Sequence, residues 1–139
     1  MVFGGRNPAD ASIQQLLRSA GNNARVASVR DAASASEVVL FAAPWPAVPD
    51  AIRSCGDLSG KILIDATNPL APDLSGLVIG TTTSAAEEVA RLARSAKVVK
   101  AFNTIGAANF ENPRFGSERA SMFICGDAAA AKKIDGPLP

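Results

Sequence analysis

Four polar or proline-rich segments each follow a short apolar run: Gly4-Gly5-Arg6-Asn7, Pro44-Trp45-Pro46-Ala47-Val48, Thr67-Asn68-Pro69-Leu70 and Asn103-Thr104-Ile105. Their side chains suit holding a ligand better than moving protons. Arg6 offers a planar guanidinium that grips a phosphate with two donors while stacking on a flat base. Asn68 and Asn103 supply amide donors and acceptors without charge, which suits a carboxamide or a ribose. Pro44, Trp45 and Val48 lie on a stiff stretch that can wall a groove, with the next helix turning its amino end to phosphate. The sequence contains no histidine and only two cysteines, Cys55 and Cys125, far apart. A histidine general base is therefore excluded, and a Cys/His metal centre is not expected. No nucleophile–base pair or catalytic carboxylate pair emerges.

Each of these residues also has a plain structural reading. Arg6 can be a solvated loop residue, and Trp45 can plug the end of a sheet. Either asparagine can be a turn former. Lys100, inside an apolar run, can reach a strand-end carbonyl or carboxylate, or snorkel from an edge. Asp65 and Asp127 read as turn or cap residues. The cysteines read as small buried apolar residues in a reducing compartment.

The elements that must position these residues follow from periodicity. The runs 37–43, 61–66, 97–102 and 121–125 are short and mostly continuously apolar. That pattern marks strands buried on both faces, as in a parallel sheet. The run 25–29 is more polar and reads as an edge strand. Helical patterns alternate with these runs. Ile13, Leu16, Leu17 and Ala20 fall on one helical face, with Asn7 as cap, Pro8 at the first position and Gly21 at the end. Ser84-Ala85-Ala86-Glu87 reads as a capping box. A short helix is expected over 46–53, and one or two turns over 31–36. Residues 70–83 form the longest irregular loop, a length that is often functional. Alternating strands and helices give an α/β, Rossmann-type doubly wound, mainly parallel sheet.

In such folds the ligand lies at the carboxyl ends of the strands. The turn after the second strand meets the adenine ribose, where an acidic residue selects NAD and an arginine suits the 2′-phosphate of NADP. Arg6 stands there without an Asp or Glu in the turn, which favours NADP(H). A reaction that needs only positioning, such as hydride transfer between two bound cofactors, fits a site without acid–base groups. Apolar residues make up 47% of the 139, and the net charge is +1 without a basic stripe, so no nucleic-acid partner is expected. No apolar run approaches the ~20 residues needed to span a bilayer, and no signal peptide precedes Arg6, so a cytoplasmic protein without a membrane partner is expected.

The strings "VFGGRNP", "VVLFAAPWPAV", "GKILIDATNPL", "GTTTSAAEEVARL", "KVVKAFNTI", "PRFG", "MFICGD" and "DGPL" occur in order. In this the chain resembles the F420-dependent NADP reductase family, whose fold is similar in the N-terminal domains of the six-transmembrane metalloreductases. The resemblance implies a Rossmann domain that binds NADP(H) and passes hydride between nicotinamide and coenzyme F420 or a flavin. It implies Gly5 and Arg6 at the 2′-phosphate, and Pro44 and Val48 along the groove; Asn7 and Trp45, read from their turns, join them as candidate cofactor-binding residues. Asn68, Asn103 and Thr104 match strand ends near the nicotinamide side, and none acts as acid or base; Pro69, next to Asn68, is a further candidate cofactor-binding residue.

The family often has Ser-Arg where Gly5-Arg6 stands, and a basic residue one helical turn later where Asp10 stands. Its opening strand and glycine-rich turn have no counterpart here, and the segment from Ala128 to Leu138 is shorter. The expectation is thus one incomplete domain over 1–139, lacking the usual first strand and Gly-rich turn. In the order 3-2-1-4-5-6 that strand is central, so its loss splits the sheet and leaves two free edges. Those edges invite pairing with a second copy, unless the Phe3 strand slides beside the Phe41 strand. Alternatives to the oxidoreductase are a non-catalytic NADP(H)-binding or interaction module and an inactive fragment. A methyltransferase-like domain fits less well, because it wants an acidic residue at the second strand end.

Overall fold

The computed structural model describes residues 1–133. The Asp135-to-Leu138 motif lies outside the described residues. Two parallel sheets carry the fold. In the first, β1 (Val2–Gly5) pairs with β2 (Arg25–Ser28). In the second, β3 (Val38–Phe41), β4 (Ile62–Asp65) and β5 (Lys97–Lys100) pair in that order. The expected split of the sheet is therefore present, between β1 and β3. The alternative in which the Phe3 strand moves beside the Phe41 strand is not adopted, because Phe3 is in register with Val26.

The helices α1 (Ala11–Ala20), α2 (Val29–Ser34), α3 (Val48–Cys55) and α4 (Ala85–Leu92) connect these strands, and α5 (Ala129–Lys132) follows. A short 3-10 turn, Trp45–Ala47, leads into α3. Two caps follow the sequence and one departs from it. The capping box of α4 is complete, with Ser84 and Glu87 bonding reciprocally, and Gly21 ends α1 at φ 82°. The N-cap of α1 is Asp10 rather than Asn7: its carboxylate accepts from the Ser12 amide at 2.9 Å. Asn7 instead closes the preceding turn, its carbonyl accepting from the Asp10 amide at 3.0 Å. Proline before the helix leaves room for this extra turn.

The pair Gly4-Gly5 has a packing reason. A Cβ on Gly5 would stand 2.6 Å from Ile13 Cδ1 of α1, and one on Gly4 would stand 3.3 Å from Ala32 Cβ of α2. Successive strand residues face opposite sides, so the two glycines admit one helix on each face of β1.

The core lies on the face of the second sheet that carries Val39, Phe41, Leu63 and Val98. Ala33 of α2, Val48, Ile52 and Cys55 of α3, and Val89 and Ala93 near α4 pack there, with Leu58. Leu63 is wholly buried at the centre. The central strand β4 and the carboxyl end of β5, at Val99 and Lys100, match the expectation of burial on both faces. On β3, Val38 and Leu40 are 40% and 60% exposed, because no helix covers that side of this edge strand. The run 121–125 is also not a regular strand. It meets β5 through a single bridge between Lys100 and Cys125. A hairpin of β6 (Arg114–Phe115) and β7 (Glu118–Arg119), turning at Gly116, was not legible in the sequence.

Candidate functional site

The turns after β3 and β4 enclose a cleft of about 440 Å³. Ala42, Ala43, Pro44, Trp45 and Pro46 form one wall. Ala66, Thr67 and Asn68 form the other, and Leu70 and Leu74 close it from the long loop. That volume lies within the range of small-molecule sites. Pro44 holds an extended backbone (φ −56°, ψ 140°), and Trp45 after it is half-buried, packing against the core while it lines the cleft. The parallel register of Phe41 with Asp65 brings the two turns side by side. Leu74 holds a left-handed backbone at φ 59°, as does Phe102 just past β5 at φ 66°. Branched and bulky residues rarely take that conformation, and such strain clusters at ligand sites.

Beneath the β4 turn lies a buried ion pair. Lys100 Nζ donates to Asp65 Oδ2 at 3.0 Å, and both side chains are nearly solvent-free. Lys100 Nζ also donates to the carbonyl of Thr67. The Thr67 amide donates to Asp65 Oδ1 at 2.9 Å. Lys100 therefore reaches both a carboxylate and a strand-end carbonyl, which was one of its two readings. The Thr67 hydroxyl is buried and has no partner among the described residues.

The structure brings Pro44, Trp45 and Asn68 together in one cleft. Val48 does not line it. It is 1% exposed and belongs to the core under α3. Its helical position turns it inward, toward Leu63. Pro69 is likewise buried. Asn103 and Thr104 follow β5 outside the lining; the Thr104 hydroxyl approaches Met122 Sδ at 3.9 Å. Gly5 is buried against α1, whereas Arg6 and Asn7 are exposed just past β1. Arg6 has no ion-pair or hydrogen-bond partner among the described residues, so its guanidinium is available. Asp10 shares that turn. The Ser12 hydroxyl, then the Ser12 amide, holds its carboxyl below the usual carboxylate range, so it is ionised near neutrality. Burial pushes the Cys55 thiol up, which makes it an inert core residue.

Sequence reasoning did not assign Thr67 or join Asp65 to Lys100. The signal was present: "ILID" and "KVVK" are neighbouring parallel strands that each end on a charge, and those charges are of opposite sign. A second cleft, of about 410 Å³, runs beside β5 between Glu87, Lys97 and Asp127. It contains none of the predicted site residues. Among the described residues, no group of three metal-ligating side chains occurs, and no helix is long and apolar enough to cross a membrane.

Residues 1–69 match the sequence model of the family described as NADP oxidoreductase, coenzyme F420-dependent. Over 136 residues the chain is 35% identical to metalloreductase STEAP3 of Rattus norvegicus, covering 95% of this chain and 25% of that protein. A solved structure from Arthrobacter sp. FB24, assigned as an F420-dependent NADP-reductase, superposes with a TM-score of 0.82 at 33% identity. It covers 94% of this chain and 64% of that one. The hypothetical protein SMa0349 of Sinorhizobium meliloti superposes with a TM-score of 0.78 at 29% identity, over 94% and 63% of the two chains. The chain thus spans a quarter of the metalloreductase and just under two thirds of each solved structure.

Proposed function

Since this chain belongs to the coenzyme F420-dependent NADP oxidoreductase family, we propose that it binds NADP(H) at the carboxyl ends of its strands. The observation that carries the reading is the cleft between Pro44-Trp45 and Thr67-Asn68 at the ends of β3 and β4. The residues present fit such a cofactor. The cleft offers the Trp45 side chain and the neutral amide of Asn68, and Arg6 offers an unpaired guanidinium for the 2′-phosphate. NADPH supplies a hydride. The residues around it bind and orient it, and none needs to move a proton. In the whole protein the hydride partner is a deazaflavin such as coenzyme F420, or a flavin. The unpaired thiols of Cys55 and Cys125 suit the reducing cytoplasm where we place this activity.

Trp45 is the only tryptophan and lines the cleft, so its fluorescence reports on occupancy. Titration with NADPH should give a saturable change. Arg6→Ala should weaken NADPH roughly 10- to 100-fold, from the loss of about 1.5–3 kcal/mol of charge-assisted hydrogen bonding, and leave NADH nearly untouched. A flat titration, or equal losses for both dinucleotides, would overturn the reading.

A second reading rests on the free edges of β1 and β3 and the exposed Val38 and Leu40. It makes the domain a cofactor-binding or interaction module without turnover that pairs with a second copy. Light scattering decides it: a monomer at all concentrations removes the pairing.

A further inference from the structure

We propose that the buried Asp65–Lys100 pair is a positioning device that fixes the Thr67–Asn68 peptide and so presents the Asn68 amide to the ligand. Both polar backbone groups of Thr67 are committed to the pair, the N–H to Asp65 Oδ1 and the carbonyl to Lys100 Nζ. The peptide is trans, so with its carbonyl drawn to Lys100, the Asn68 N–H faces the opposite way. Among the described residues that N–H has no partner, and Asn68 lines the cleft. It is a free backbone donor suited to an acceptor oxygen such as a ribose hydroxyl or a carboxamide carbonyl.

The two charged residues are themselves anchored from both sides. The Lys100 backbone exchanges hydrogen bonds with Cys125 at 2.8 and 3.1 Å, and the Asp65 carbonyl accepts from the Ala101 amide at 3.1 Å. Stability alone does not explain such a pair. Well-packed apolar residues of similar volume generally do as well, because two charges must be taken out of water. Apolar residues at 65 and 100 would leave the Thr67 carbonyl and amide without partners, and the turn would be free to rotate.

The inference about affinity rests on the NADP(H) reading, whereas the inference about the turn does not. The test is Asp65→Leu/Lys100→Met, which removes both charges at once. The readouts are the thermal melt, amide hydrogen exchange at Leu70 and Val78, and NADPH titration. Those two amides bond to the Asn68 and Pro69 carbonyls at 2.9 and 2.8 Å, so the substitutions do not remove their partners directly. The expected result is a melt that stays cooperative, exchange at least tenfold faster at both amides, and NADPH affinity at least tenfold weaker. A cooperatively folded variant with unchanged exchange and unchanged affinity overturns the proposal. If that variant does not melt cooperatively, Asp65→Asn/Lys100→Met takes its place: it keeps an acceptor for the Thr67 amide and frees only the Thr67 carbonyl, and it is judged by the same exchange and affinity readouts. Failure of both overturns it, because the pair is then required by the fold itself. A wild type that ignores NADPH removes the cofactor reading, while exchange at Leu70 and Val78 still decides the role of the pair.

Discussion

Thr67→Val isolates one atom. Thr67 is 3% exposed, and its hydroxyl oxygen is buried without a partner among the described residues. Burying a hydroxyl without a hydrogen bond costs roughly 1–3 kcal/mol on the scale of protein mutational data. Valine keeps the branched shape and places a methyl where the oxygen stood. The backbone contacts to Asp65 and Lys100 are unaffected, so the substitution deletes only the orphan group. We take the lower end, about 1 kcal/mol of stabilisation, because the new methyl sits beside the polar Asp65–Lys100 pair. For a chain of this size that is a rise in midpoint of about 3–5 °C. A melt followed by circular dichroism reads it, with Thr67→Ser as the control that keeps the hydroxyl and loses the methyl. A valine variant that melts at or below the wild-type midpoint refutes the reasoning, since the oxygen would then have a partner.

Lys100→Met alone should destabilise by about 3–5 kcal/mol in denaturant titration, because Asp65 is left as an unpaired charge at 0% exposure; a loss below 1 kcal/mol would contradict the buried pair. Leu63→Ala, at the wholly buried centre of β4, should cost about 2–5 kcal/mol in the same assay. Ser84→Ala should cost about 1 kcal/mol by removing the cap of α4. The Ser84 hydroxyl, the Ser84 amide and then Thr83 hold the Glu87 carboxyl below the glutamate range. Its contribution is thus complete above the unfolded value of about 4.3 and is lost as pH falls through the lower folded value. The stability difference between wild type and Glu87→Gln should accordingly shrink on acidification and stay flat above pH ~5.

Local patterns were legible where one short-range effect decides. The capping box at Ser84 and Glu87 and the glycine end of α1 follow from a few residues. The strands over 38–41, 62–65 and 97–100 follow from apolar runs. The expectations that failed depend on what lies across space. Burial of Val38 and Leu40 requires a neighbour that β3 does not have on that side. The run 121–125 has strand composition, but only Cys125 reaches the edge of β5. Asp10 displaced Asn7 as the cap because both are good caps and the intervening proline turn chose between them. At the site, Trp45 and Asn68 come together because both follow adjacent parallel strands, a pairing that residue types alone did not give. Val48 could not be separated from them by type. Only the helical phase of α3 turns it into the core.

The division between β1–β2 and β3–β5 bears directly on how a dinucleotide would be held. Arg6 belongs to the first sheet, whereas Trp45 and Asn68 belong to the second. The two groups are not joined by a hydrogen-bonded strand, so their separation depends on packing. The helix α2 supplies it. Ala32 stands against Gly4 of β1, and the next residue, Ala33, lies in the core cluster with Phe41. Two adjacent buried alanines therefore connect the first sheet, through Gly4, to the core cluster on the second. Small side chains allow this close approach, but each contributes little apolar area. A ligand that bridges Arg6 and Trp45 would add a tie between the sheets, stabilising the folded state in proportion to its occupancy. Cofactor binding and the integrity of the domain are then a single linked equilibrium, in which the turn set by Asp65 and Lys100 governs one end and the turn of Arg6 and Asp10 the other.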